Sequence, residues 1–574
     1  MRSRFSPLTL ALAIAALAPL VVYSADQSSP AKPLGDSGAF DAGAHLLQAS
    51  RIDGGEFVRE ADGVTPASVE ITGSDGLLIN GGRFRTAHPV DPAVGVQLAR
   101  GKSISLYNKV HPDPAGAAAA GAPSGDGYQL YTPAQVHEIF GSGDAARIRA
   151  AFTSADAKGV PPEPLTEAVV LAALSAANDV LSARAQTAWQ FTAESGDVVV
   201  NGGVFDFHST NQNRIAANNG RLVWNGGDLS SRGGGGETTL QGTAGIALLG
   251  GRILSEGTVG GSVNPIYYDP RQRLDRDRWT LGKYLALVTN GDIEVGRDGQ
   301  PGPDIVVADG MLQIGRASAP AGDGKAATQH LYLRSGSISL QGEHRSTLLA
   351  LERGFDIVTV ISGGTLSVSS AQSLVDTPTE SRSMWNMPTV LESGVINLDS
   401  GQLIGPDSAV KGGVVNLAGL SAIYSPSGAL TVSGGTINVG PQAFIGAIKG
   451  DSRARSPYPT AQQDLVISGG ALNFRVLAPK VGEPLVVGTH IGGIFAGDNN
   501  PAKQSQPSLT IGKRTRISLD TSALAAGKYR IADFASVDAG DGSLAIASKL
   551  PVRNLAGKVI GALDTGGHLS FQVK

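Results

Sequence analysis

A double glycine set between strand-like apolar residues recurs along this chain. Leu430-Thr431-Val432-Ser433-Gly434-Gly435-Thr436-Ile437-Asn438-Val439 shows it plainly. Apolar residues alternate with small polar ones on both sides, the period of a strand with one buried face. Glycine lets the backbone bend sharply there without steric cost. In a chain with 77 glycines the pairs alone prove little, so the flanks decide. Outside the run at 233–236 there are twelve double glycines, and all twelve have an apolar residue three places after the first Gly. Nine of the twelve also have one two places before, where about five would fall by chance at 41% apolar content. The glycines mark corners between strands.

The units beginning at Val198, Leu222 and Ile246 are 24 residues apart, the mark of an internal repeat. Earlier units surround Gly54 and Gly81; later ones run over 331–340, 358–368, 390–398, 410–417, 430–439 and 465–474. Each is a strand, a corner and a strand, too small to bury its own face, so stacking must supply the interior. Helical crossovers are scarce, which disfavours alternating βαβ folds. The pattern predicts an all-β chain, a right-handed parallel β-helix (solenoid) with a small helical insertion. A β-sandwich array or a propeller is the competing architecture, and the uneven spacing suits neither.

The expected organisation is a signal peptide over 1–24, N-terminal β-helix coils over 25–107, and a flexible connector over 108–127. A helical insertion follows over 128–190, then the main β-helix over 191–507 with a loop at 260–285, and C-terminal coils over 508–574. The insertion is read from Thr132-Pro133, a hydroxyl cap followed by proline. A second helix starts near Thr166, with Val170, Leu174, Ala177 and Leu181 on one stripe and Trp189 beside it.

Arg2 and Arg4 precede an apolar run from Leu8 to Val22, and Val22-Tyr23-Ser24 puts Val22 and Ser24 at the two positions a signal peptidase inspects, so cleavage is placed after Ser24. An uncleaved membrane anchor is the alternative. No second segment is apolar enough for a helical span, so no integral membrane span is expected once the signal is removed. Removal leaves 44 basic and 50 acidic residues, a net charge of −6. That balance argues against nucleic acid and against a polybasic membrane surface. With no cysteine, zinc–thiolate sites, iron–sulfur clusters and cysteine nucleophiles are excluded.

Ile361-Ser362-Gly363-Gly364-Thr365-Leu366, Val432 to Val439 and Ile467-Ser468-Gly469-Gly470-Ala471-Leu472 resemble the β-helical passengers of bacterial autotransporters and haemagglutinin-type adhesins. The stretch from Ala526 to Ile531, followed by Asp541-Gly542-Ser543-Leu544, is similar to the last coils of such passengers. The resemblance implies a β-helix at the cell surface or outside the cell. Autotransporters continue into a translocator barrel, whereas this sequence runs to Lys574 without one. A separate outer-membrane translocator, or a periplasmic location, is therefore expected.

Gly35-Asp36-Ser37-Gly38 looks like the nucleophile motif of trypsin-like proteases, but that family places its His and Asp upstream, where only the signal and a short leader lie. Polysaccharide-cleaving β-helices cluster acids on one face. Here Asp206, Asp228, Asp292 and Asp399 are dispersed over turns. Asp298 to Asp304 offers oxygens but not the spacing of a calcium loop. Gly233 to Gly236 is followed by no Lys-Ser/Thr, so it is no phosphate loop. The aromatics, Arg and Asp of 267–284 make the best contact surface, which can equally be a solvated loop stapled by ion pairs.

No catalytic, cofactor-binding or metal-binding residue is assigned, and no cofactor is expected. The function expected is an exported, non-enzymatic structural or adhesive protein that binds a glycan or protein; the alternative is a polysaccharide lyase or hydrolase. Function is expected where the rungs are interrupted, at 110–190 or 260–285. The mature protein recovered from cells should begin at Ala25 on N-terminal sequencing; a chain that retains Met1 and partitions with membranes identifies the anchor instead.

Overall fold

The computed structural model describes residues 46–60, 67–87, 107–110, 127–152, 166–168, 170–171, 187–207, 213–233, 237–257, 284–318, 328–342, 347–351, 357–371, 383–425, 428–447, 463–497, 506–537 and 542–574. The signal, the Ser37 motif, most of the 108–127 connector, the stripe residues Leu174, Ala177 and Leu181, and the 267–284 loop up to residue 283 lie outside them.

Among the described residues the chain is nearly all β, in long parallel sheets. Strands are dealt in turn to three sheets. Asn213–Ala217 lies in the first sheet, Arg221–Trp224 in the second and Asp228–Gly233 in the third, and Glu237–Gly242 then returns to the first beside its start. The first and second sheets each hold 14 strands. The register advances one coil at a time: Val198 pairs with Leu222 and Leu222 with Ile246, so the 24-residue spacing is one full turn of the stack. Each turn contains three strands rather than the two legible in the sequence. Pairing above and below satisfies the backbone of every interior strand.

Inward residues of all three sheets form one continuous core. At its N-terminal end Phe57, Phe84 and Phe205 occupy one register column, with ring centroids 5.0 and 5.1 Å apart. Leu229, Ile253 and Ile305 continue the column. Each such side chain withdrawn from water contributes roughly 1.5–3 kcal/mol before conformational entropy is charged against it. The first sheet is buried on its outer face as well in the later coils, where Ile404, Ala422, Tyr424, Phe444, Ala447 and Phe495 form a separate cluster. Val487, from the segment that crosses between Arg475 and Gly493, packs against it.

The corner between the second and third sheets is the tight one. It is three residues long in every coil except at Gly296–Pro303 and Gly512–Thr515. All nine double glycines with apolar residues on both sides fall there. Successive corners nearly touch: a Cβ on Gly251, whose φ is +76°, would lie 2.1 Å from the Gly227 carbonyl oxygen one coil below. Asparagines tie the first corners together. The Asn80 amide donates to Asp53 at 2.7 Å, Asn201 to Asn80 at 2.8 Å, and Asn225 to Asn201 at 2.8 Å. A second ladder, Asn397–Asn416–Asn438–Asn473, runs up the third sheet at 2.8, 2.8 and 2.9 Å.

Tyr107–Val110 and Gly127–Leu130 pair antiparallel, and helices Pro133–Gly141 and Ala145–Phe152 follow. Thr132 accepts from the Gln135 N–H while the Gln135 side chain accepts from the Thr132 N–H, a capping box with proline in the first turn. Residues 167, 168, 170 and 171 are helical, and the Val170 N–H donates to the Thr166 carbonyl. Tyr131, Val136, Ile139, Phe152 and Val170 make a core separate from the stack. The helical insertion does not extend to 190. Trp189 belongs to the first-sheet strand Thr187–Ala193 and is fully buried in the main core, because Trp189 and Phe191 face inward two residues apart. Among the described residues no helix is long and apolar enough to cross a membrane.

The C-terminal residues are not all coils. Leu550–Asn554 adds a last parallel strand to the third sheet, and Val559–Leu563, Leu569–Val573 and Gly527–Ile531 then continue it antiparallel. Tyr529 stacks on Phe571 at 5.3 Å, and Lys528 and Arg530 are exposed on the outermost strand. Charges on an edge strand oppose the addition of another chain.

Gly251→Ala should lower the urea midpoint, with about 1–3 kcal/mol lost to the left-handed backbone alone and more to the contact with Gly227. Gly54→Ala, whose added methyl meets nothing within 4 Å, should stay within about 0.5 kcal/mol of wild type. Equal effects would mean that the corner is not what limits coil spacing.

Candidate functional site

The outer face of the second sheet carries a central row of one side chain per coil. From Val199 it runs through Val223, Ala247, Glu294, Tyr332, Val360 and Val390. Small and aliphatic residues on a flat, half-exposed strand need little explanation. Glu294 and Tyr332 do, because they stand side by side in adjacent coils with charged neighbours on the same face.

The strand Gln329–Leu333 alternates strictly. Gln329, Leu331 and Leu333 are buried, so His330, Tyr332 and the following Arg334 point outward. The His330 and Tyr332 rings stack at 5.2 Å with 19° between their planes, and the Arg334 guanidinium lies 4.9 Å from the Tyr332 ring centre. Tyr332 is thus braced between an imidazole and a guanidinium. On the neighbouring strand Asp292 and Glu294 point outward around buried Ile293. Asp292 accepts from the His330 backbone N–H at 2.9 Å, and its carboxylate lies 3.5 Å from the imidazole.

Ion pairs extend this ridge. Arg221 lies 3.7 Å from Glu294, Arg334 3.6 Å from Asp298, and Lys411 3.6 Å from Glu392. Asp298 is brought there by the widened corner Gly296–Pro303, where the Arg297 N–H donates to the Ser335 hydroxyl at 3.0 Å. Asp304, at the end of that corner, accepts from Ser337 at 2.6 Å and lies 3.8 Å from Arg252. Asp298 and Asp304 are therefore each placed beside a cation of the protein itself. Among the described residues no group of three His, Asp or Glu is placed to hold a metal ion.

Exposed ion pairs contribute only about 0–1 kcal/mol each, so the ridge does little to hold the fold compared with the apolar residues beneath it. Burial holds the Tyr332 phenol above its ordinary range, Asp292, Glu294 and Glu392 push the same way, and Arg334 opposes them. Asp292 and Glu294 are two residues apart on one strand face, roughly 6.5–7 Å between Cα atoms. Asp292 lies against His330 and Glu294 against Arg221, so neither stands isolated on an apolar wall, the setting in which a carboxyl serves as an acid catalyst.

The sequence located function in the interruptions, at 110–190 and 260–285. The ridge instead sits on rungs, between Asp292 and Arg334. Its one-dimensional trace is His330-Leu331-Tyr332-Leu333-Arg334, three consecutive outward positions that are all large and polar. The acidic partners lie 38 residues earlier and become neighbours only when the coil closes. Comparison with known protein families, curated proteins and solved structures finds no match to this chain.

A difference titration against Tyr332→Phe should show the Tyr332 phenolate forming above pH 10.0. In Arg334→Ala it should form higher still, since the guanidinium is the influence that favours the anion. The folded value is above the unfolded one, so the stability carried by the neutral phenol is full below about pH 10 and is lost as pH rises through the folded value. Ionisation below pH 10 would contradict the packing described.

Proposed function

We propose that the chain is an exported right-handed parallel β-helix, a non-enzymatic structural or adhesive protein that presents its second-sheet face to a glycan at the cell surface or outside the cell. The right hand follows from the strong preference of parallel strand crossovers. Export is supported by the N-terminal charge and apolar run, and an adhesive role by the resemblance of the repeats to passenger domains.

The observation that carries the binding role is the braced row His330–Tyr332–Arg334 beside Asp292 and Glu294, interrupting a central row that is otherwise small and aliphatic. Donors and acceptors are fixed there by packing before any ligand arrives, which lowers the entropic cost of binding. A face whose outward residues line up from coil to coil suits an extended polymer, and the phenol, imidazole, guanidinium and carboxylates suit its hydroxyl groups. The competing reading, cleavage of that polymer, rests on two carboxylates, Asp292 and Glu294, that point outward from one strand.

The mature chain should be recovered from the cell surface or medium and should be retained on immobilised polysaccharide. The double variant Tyr332→Ala/Arg334→Ala, with unchanged thermal unfolding, should lose at least about tenfold in retention. Failure to bind glycans, matrix or cells removes the adhesive role. Release of new reducing or unsaturated ends establishes the enzymatic one.

A further inference from the structure

We infer that the ridge selects a neutral, hydroxyl-rich polysaccharide over one bearing carboxylate, sulfate or phosphate groups. This rests on the reading of the ridge as a glycan-binding surface and names the class of glycan it takes.

Charge decides the class. An anionic polymer is held by cations in surplus, whose field draws it in and whose strength falls with salt. Along the ridge and the corner beside it the cations have partners of their own: Arg221 with Glu294, Arg334 with Asp298, Lys411 with Glu392, and, where the third sheet begins, Arg252 with Asp304. His330 lies against Asp292. With Arg297 on the widened corner, the Arg and Lys side chains named here number five against five carboxylates, which leaves no permanent cation in surplus. An incoming carboxylate or sulfate would have to break these pairs and lie beside their released acids.

A neutral sugar chain needs neither step. Its hydroxyls donate to Asp292, Glu294 and Glu392, each about half exposed, and hydrogen bonds to ionised acceptors are stronger than neutral ones. Both faces of the Tyr332 ring are flanked by its strand neighbours, so its contribution is the phenol hydroxyl at the crest rather than an open stacking face. Carboxylate acceptors on either side of a braced hydroxyl make a site that reads hydroxyl groups.

The test is affinity electrophoresis of the full mature chain in gels with a neutral polymer (galactomannan or mixed-linkage glucan) or an acidic one (polygalacturonate, alginate or dextran sulfate). Retardation is expected with a neutral polymer only, and little altered by added salt. Tyr332→Phe, which keeps the ring and its packing, should weaken it by about threefold to tenfold. Asp292→Asn/Glu294→Gln, near-isosteric on an exposed face, should weaken neutral binding further and let the acidic polymers bind. Retardation by an acidic polymer alone, relieved by salt, overturns the neutral class and leaves glycan binding standing. No retardation in either gel overturns both.

Discussion

The structure depends on how closely successive coils approach at the corner between the second and third sheets. The glycines there are required less by the bend than by the coil below: at Gly251 the space a side chain would fill is taken by the Gly227 carbonyl. Bringing the backbones together at that corner sets strand-pairing distance for both adjoining sheets, roughly 4.8 Å per coil. Once the distance is set, inward residues of neighbouring coils meet in columns, and the Asn side chains of successive corners come within hydrogen-bonding reach.

The same constraint sorts where variation is allowed. Since the glycine corner cannot lengthen without separating the coils, extra chain leaves elsewhere. In the early coils it leaves between the third and first sheets, between Ala87 and Thr187 and between Gly257 and Tyr284. In later coils it leaves there too, between Ser370 and Met384 and between Arg475 and Gly493, and also between the first and second sheets, between Gly446 and Gln463 and between Ala496 and Ser508. The widened corner at Gly296–Pro303 is the large exception, and it borders the ridge. A coil that gives up the tight corner gains a projecting segment, and Asp298 on that segment reaches Arg334.

These constraints explain what was legible in the sequence. An apolar residue two places before a double glycine reports the end of a second-sheet strand, so nine pairs located nine true corners. Of the three pairs without it, Gly260-Gly261 lies outside the described residues, Gly493 opens the first-sheet strand Gly493–Ala496, and Gly567 belongs to the C-terminal turn. Corners with a single glycine, Ser335-Gly336 and Ser393-Gly394, fall outside the double-glycine count and are marked only by the alternation over 331–340 and 390–398; Gly336 and Gly394 have φ of +75° and +82°. First-sheet strands were missed for a different reason. Gln402-Leu403-Ile404 and Phe444-Ile445-Gly446 are buried on both faces, which erases the period of two. Trp189 was misplaced because the residues before it carry helical spacing into a strand.

The ridge was hidden by the regularity that made the fold visible. His330-Leu331-Tyr332-Leu333-Arg334 satisfies the rung pattern, and an alternating segment reports its buried face while leaving the other free to be anything soluble. The fold requires Leu331 and Leu333; it does not require His330, Tyr332 or Arg334, whose ion pairs contribute little to stability. In a stack, a column of outward residues is the one arrangement that joins distant segments without disturbing the core, since each coil adds one position to it. A binding surface can therefore be placed on the rungs themselves, and the places to look are outward columns where the residue type changes abruptly from one coil to the next. Ala247 to Glu294 to Tyr332 to Val360 is such a change.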